Sequence, residues 1–97
     1  MTSIRFHPEA EGELRDAVVW YEHQRKGLGS EFILCMDEAV ERIRRGPENF
    51  PKIYKNIQRA VVKRFPFAVF FEIEKSDIRV LAVFHSRRDP SRWQSRK

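Results

Sequence analysis

The sequence predicts an α+β fold with the element order β-α-α-β-β-β, a mostly antiparallel sheet with a two-helix hairpin packed on one face. Two N-terminal stretches repeat apolar residues at helical spacing. Two aromatic and β-branched runs, residues 64–74 and 77–85, flank a short polar turn and indicate a β-hairpin. A length of 97 residues, with 41% hydrophobic and 34% charged residues, suits a single globular domain over residues 1–97.

The first strand and the first helix are predicted from residues 3–26. Residues 3–7 alternate polar and apolar side chains, as a short strand does. Pro8 suits the first helical turn, where its missing N–H has no partner to lose, and His7 at the junction is expected to have a local structural role. One stripe of the helix is apolar, formed by Ala10, Leu14, Ala17 and Tyr21. Gly27 and Gly29 mark the turn that follows.

The second helix is predicted to begin with Ser30 as its N-cap and to end at Gly46-Pro47. Its apolar stripe consists of Phe32, Met36, Ala39 and Ile43. Because the connection between the helices is short, they should form an αα-hairpin. Residues 48–56 are predicted to be a loop and residues 57–63 a strand.

The register of the C-terminal hairpin follows from placing Glu74 opposite Asp77. The apolar pairs are then Ile73 with Ile78, Phe71 with Val80, Val69 with Ala82, and Phe67 with Phe84. This face is expected to pack on the helices. The second face carries Phe70, Leu81 and Val83 beside charged residues. It is too apolar to be fully exposed to solvent, so either the chain or a partner should cover it.

Charge is distributed unevenly along the chain. Residues 1–50 hold seven Lys and Arg against ten Asp and Glu, a net −3, whereas residues 51–97 hold twelve against four, a net +8. A localised positive field favours an acidic partner, either nucleic acid or an acidic protein segment. No apolar run approaches the length of a membrane span and no signal-peptide pattern is present, so we expect no membrane association and a cytoplasmic location.

Metal and cofactor chemistry are not indicated by the sequence. Three scattered histidines and the single Cys35 offer no metal-ligand spacing, and no phosphate-binding glycine loop is present. Cys35 falls within a helical apolar pattern and is expected to be a small packing residue. We therefore expect no metal and no cofactor.

Several short motifs, in order, resemble the toxins of the RelE/ParE superfamily from type II toxin–antitoxin modules. These motifs are Phe6-His7-Pro8, Trp20-Tyr21-Glu22, Gly27-Leu28-Gly29, Phe50-Pro51, Arg64-Phe65-Pro66-Phe67, and His85 with Arg87-Arg88-Asp89-Pro90 and Trp93. The resemblance covers nearly the whole chain. It implies a growth-arresting toxin that a cognate antitoxin neutralises, and a possible toxin–antitoxin hetero-oligomer.

The branches of this superfamily imply different targets. The Trp-Tyr-Glu and Gly-Leu-Gly motifs, with the Arg-Asp-Pro and Trp ending, look more like the ParE branch, whose members poison DNA gyrase. The first alternative is a RelE-like, ribosome-dependent endoribonuclease that cuts mRNA. The second is a small basic RNA-binding domain without toxicity.

The candidate site residues lie in the basic half of the chain. A ribonuclease would use His85 as general acid or base, with Arg87 and Arg64 as cations on the scissile phosphate. The predicted target-binding surface comprises Arg59, Arg64, Arg87, Arg88, Arg92 and Trp93. The predicted antitoxin-binding residues are Phe70, Leu81 and Val83, which are expected to share the second face of the sheet.

Overall fold

A computed structural model describes residues 3–86 together with Gln94 and Arg96. The elements in chain order are β1 (Ile4–Phe6), α1 (Pro8–Gln24), α2 (Leu28–Arg45), a 3-10 turn (Pro47–Asn49), β2 (Lys52–Tyr54), β3 (Ile57–Val61), β4 (Phe67–Glu74) and β5 (Asp77–His85). In this described part of the chain, no helix has the length and apolar character needed to cross a membrane.

The five strands form one sheet in the order β1-β5-β4-β3-β2. The short β1 pairs in parallel with β5, while the other neighbours are antiparallel. The predicted α+β fold is therefore confirmed, with one strand more than expected. The loop predicted for residues 48–56 was wrong in part, because β2 lies within it. A three-residue strand with two exposed side chains gives too little alternation to be recognised.

Helix α1 begins at Pro8 and buries Ala10, Ala17 and Tyr21, as its apolar stripe predicts. His7 is its N-cap, and the imidazole Nδ1 accepts a hydrogen bond from the backbone N–H of Glu9 at 3.1 Å. This bond satisfies one of the helix's unpaired N-terminal donors. The local structural role predicted for His7 is confirmed.

Helix α2 begins at Leu28, so the predicted N-cap at Ser30 was wrong. The capping carboxylate comes from α1 instead, because Glu22 accepts hydrogen bonds from the backbone N–H groups of Gly27 at 2.9 Å and Gly29 at 3.0 Å. These two bonds lower the pKa of Glu22. Gly27 has a left-handed φ of 90°, which glycine adopts without strain.

The register of the β4–β5 hairpin is as predicted only as far as the pair Phe71–Val80. A bulge then places Ala82 opposite Phe70, so the predicted pairs Val69–Ala82 and Phe67–Phe84 were wrong. Two consecutive apolar residues of β5, Leu81 and Ala82, are both buried in the second-face cluster. Beyond the bulge, the β5 residues lie on the face opposite to the predicted one, whereas the β4 residues Phe67 and Val69 keep their predicted face.

Two apolar clusters result, one on each face of the sheet. The helix-facing core contains the stripes of both helices together with Val69, Phe71, Ile78, Val80 and Val83. The second-face cluster contains Ile57, Ala68, Phe70, Leu81, Ala82 and Phe84. Both clusters are buried within the single chain, although Val61, which pairs with Ala68 on the second face, is 58% exposed.

Candidate functional surface

The last strand ends where the sequence predicts, because His85 is the last residue of β5. It pairs with Phe67 of β4 and makes an edge-to-face ring contact with it, with 5.5 Å between ring centroids. Because of the bulge, His85 lies on the helix-facing side of the sheet. Its side chain is half-buried.

Four predicted target-binding residues, Arg87, Arg88, Arg92 and Trp93, lie outside the described residues. The chain enters this segment from Ser86, whose backbone N–H donates to the carbonyl of Pro66 at 2.8 Å. That bond holds Ser86 next to the β3–β4 connection. The roles of the four residues stay predictions.

Arg64 lies between β3 and β4 and is bound to α2. Its Nη2 donates to Oε1 of Glu31 at 2.8 Å, and Arg25 donates to the other oxygen of the same carboxylate at 3.1 Å. The hydrogen bond to Glu31 raises the pKa of Arg64, and in turn the two guanidinium groups lower the pKa of Glu31. Glu31 thus offers one negative charge to two guanidinium groups, and Arg64 forms its ion pair at the surface, with its side chain 64% exposed.

Arg59 projects from the opposite side of the sheet. It pairs with Phe70 in the β3–β4 ladder, so it shares the second face with that residue and is exposed. His85 pairs with Phe67 and faces the helices. Strand alternation thus separates Arg59 from His85 by the thickness of the sheet.

A groove of about 770 Å³ runs beside His85, between α1 and the ends of β4 and β5. The residues that line it are Glu13, Asp16, Ala17, Trp20, Tyr21, Pro66, Phe67, Val83 and His85. Tyr21 lies at its base, and burial raises the pKa of this phenol, which is therefore neutral. Trp20 remains 58% exposed at its rim. The groove combines aromatic rings with two carboxylates.

The wall of the groove includes a charge cluster that the sequence did not predict. Glu13 Oε1 accepts a hydrogen bond from the backbone N–H of Val83 at 3.0 Å. Arg96 donates hydrogen bonds to both carboxylate oxygens of Glu13, at 3.1 and 2.7 Å. Arg96 also donates to the carbonyl of Leu81 at 3.0 Å and is only 11% exposed. The hydrogen bond to Glu13 raises the pKa of Arg96. Together these side chains close an edge of β5 that β1 does not reach.

A signal for this cluster existed in the sequence. The first strand is at most five residues long, whereas the last is nine, so part of β5 must find backbone partners elsewhere. The side chains that supply them, Glu13 and Arg96, are 83 positions apart, and nothing local in the sequence links them.

The three predicted antitoxin-binding residues do not share a face. Val83 belongs to the helix-facing core, so its predicted place on the second face was wrong, because the bulge reverses the alternation after Leu81. Phe70 and Leu81 lie on the second face as predicted, but they are 8% and 0% exposed. Direct contact of this pair with an antitoxin stays a prediction, and it requires their present covering to be displaced.

The fold and the groove define a small α+β domain with a helical hairpin on one face of a five-stranded sheet. A family model described as the ParE toxin of the type II toxin–antitoxin system, parDE, matches residues 4–90. Because this match spans most of the chain, the protein belongs to the ParE toxin family. It is the toxin of a type II toxin–antitoxin module, and its partner is a cognate antitoxin.

A solved structure has the same fold. The "Chromosomal ParDE TA system from P. aeruginosa" superposes with a TM-score of 0.77, covering 88% of this chain and 96% of that chain at 16% sequence identity. Identity this low shows a shared fold alone. No curated protein matches the sequence.

Proposed function

We propose that this toxin arrests growth by binding DNA gyrase and inhibiting it, and that it does not cleave mRNA. Membership of the ParE toxin family supports this target. The net +8 of residues 51–97 supports it as well, because gyrase works on DNA and a positive surface is attracted to an anionic assembly.

The family match carries the proposal, and the environments of Arg64 and Arg59 support it. Cleavage through a 2′-hydroxyl needs an acid, a base and an available cation around one phosphate. In the described part of the chain Arg64 is bound to Glu31, and Arg59 lies on the sheet face opposite to His85. This arrangement favours binding over ribonuclease chemistry.

The proposed gyrase-binding surface centres on the segment that follows β5. Its residues are His85, Arg87, Arg88, Arg92 and Trp93. Four of the five follow the strand end directly in sequence, and three of them are arginines. Arg59 and Arg64 project from different sides of the domain. They therefore contribute to the positive electrostatic field of the protein more than to one contact surface.

A supercoiling assay with purified toxin and gyrase tests the proposal. The wild type should inhibit, and His85→Ala should keep more inhibition than the double arginine variant below, because binding needs no general acid or base. The double variant Arg87→Glu/Arg88→Glu should lose inhibition. Lys52→Glu/Lys55→Glu, which makes the same charge change at the exposed β2 edge, should keep it.

Primer extension on cellular mRNA after induction provides the opposing readout. Cleavage that His85→Ala abolishes, without inhibition of gyrase, would refute the proposal and establish the ribonuclease alternative. Full inhibition by Arg87→Glu/Arg88→Glu would refute the location of the surface, even if gyrase is the target.

A further inference from the structure

We propose that the groove between α1 and the ends of β4 and β5 is an antitoxin-binding site that takes a lysine or arginine side chain with an adjoining apolar residue. This inference depends on the toxin–antitoxin partnership and not on gyrase being the target. Three features of the groove support it: its aromatic and acidic walls, the arginine bound to its lining residue Glu13, and its acidic side chains on a chain of net charge +5.

The walls of the groove suit a cation that is flanked by apolar surface. Asp16 and Trp20 are one helical turn apart on α1, so they lie on the same side of the helix, and both are exposed. Phe67 and Pro66 form the facing apolar wall. A guanidinium or ammonium between Asp16 and Trp20 would gain an ion pair and an attraction to the indole face.

Arg96, which does not itself line the groove, shows this chemistry at Glu13, which does. Its guanidinium is held by Glu13, forms a second ion pair with Glu9, and lies 5.4 Å from the ring centroid of Phe84. Asp16, one turn further along α1 than Glu13, makes no hydrogen bond or ion pair within residues 3–86, 94 and 96. Of the two carboxylates that line the groove, Glu13 is bound by the chain's own arginine, whereas Asp16 has no such partner among the described residues.

The charge of the residues that line the groove indicates the charge of the ligand it binds. The chain as a whole carries +5, yet both charged residues of α1 that line the groove are acidic. A basic side chain of a protein would be attracted to Asp16, since Glu13 is already paired with Arg96. A volume of about 770 Å³ accommodates more than one side chain, so an apolar neighbour can pack on Trp20 and Phe67.

The position of the groove beside His85 indicates that its ligand is the antitoxin. His85 lines the groove and directly precedes the segment that we propose contacts gyrase. An antitoxin segment seated between Asp16 and His85 would cover the end of β5, from which the proposed target-binding segment continues in sequence. Neutralisation then needs no change in the fold of the toxin.

Isothermal titration with the purified cognate antitoxin tests the site. Asp16→Lys should weaken binding about tenfold or more, and Trp20→Ala about thirtyfold, as expected for a charge contact and an aromatic anchor. Asp37→Lys is the matched control, since Asp37 is an exposed aspartate on α2 outside the groove, and it should bind within about twofold of the wild type. Asp16→Asn provides a milder variant if Asp16→Lys does not fold.

A charge swap identifies the proposed cation. Each Lys and Arg of the antitoxin is changed to Glu in turn, and one of these variants should restore binding to Asp16→Lys while binding the wild type more weakly. Unchanged affinity in both Asp16→Asn and Trp20→Ala would overturn the proposal. So would loss of gyrase inhibition with unchanged antitoxin affinity, because the groove would then bind the target. If gyrase proves not to be the target at all, the titration still decides this proposal.

Discussion

The two halves of β5 have their outer edges closed in different ways. Along residues 77–80 the edge is closed by backbone: Ile78 donates to the carbonyl of Ser3 at 2.9 Å, and His7 donates to the carbonyl of Val80 at 2.8 Å. Along residues 81–85 β1 is absent. The carboxylate of Glu13 and the guanidinium of Arg96 bind the backbone there instead.

The two kinds of edge differ in how sensitive they are to substitution. A backbone ladder at a sheet edge depends on no particular residue type. The closure by Glu13 and Arg96 depends on two specific charged residues, and a substitution at either one leaves a buried polar group unpaired. The first half of β5 should thus tolerate surface mutations that the second half does not.

The largest effect is expected where the two halves meet, at Leu81. Its side chain is fully buried in the second-face cluster, so Leu81→Ala should lower the free energy of unfolding by about 2–5 kcal/mol. Ile73→Ala, on the exposed part of β4, should cost much less. Urea denaturation measures both. Equal losses would mean that the bulge does not place Leu81 in a packed cluster.

A smaller effect is expected from the closure itself. Glu13→Ala removes the acceptor of Val83 N–H and the partner of Arg96, and it should cost about 1–3 kcal/mol. Glu13→Gln keeps an acceptor oxygen for Val83 and should lose less. Glu11→Ala, at an exposed position on the same helix, is the control. Hydrogen exchange at the amide of Val83 should accelerate in Glu13→Ala and stay slow at Ile78. Acceleration at both amides would show that the halves are not independent.

The smallest effect is expected at the start of β5, where Asp77 accepts a hydrogen bond from the hydroxyl of Ser3 at 2.8 Å. This bond, assisted by Arg5, holds the pKa of Asp77 below its usual value of 3.8. A lowered pKa in the folded state contributes stability that is present at neutral pH and is lost as the pH falls through that pKa. Melting temperatures of the wild type and Asp77→Asn should therefore differ slightly at pH 7 and converge in acid. A difference that grows in acid would contradict this sign.

Local pattern predicted most of the fold. The stripes of α1 and α2 follow from 3.6-residue periodicity, and the hairpin register was correct from the turn to Phe71–Val80 because each apolar pair repeats every second residue. The bulge could not be foreseen. In the run from Val80 to Phe84 every residue is apolar, so an extra residue leaves no break in the hydrophobic pattern.

The site was less predictable because its parts come from distant positions. The α2 cap is a carboxylate from α1, and the groove brings Asp16 and Trp20 next to His85, about 65–70 positions away along the chain. Sequence spacing therefore identified His85 and its basic surroundings but not the acidic wall beside it.

The contact between α1 and α2 at Gly29 has a mechanical consequence. A Cβ at this position would lie 2.8 Å from the carbonyl oxygen of Val18, so at this level the two helices touch backbone to backbone. Side chains can change rotamer and let neighbours slide, but main chain against main chain has no such compliance. We therefore expect that a displacement of α1, such as one caused by a partner bound at Trp20, moves α2 with it, so that the hairpin shifts as one unit relative to the sheet.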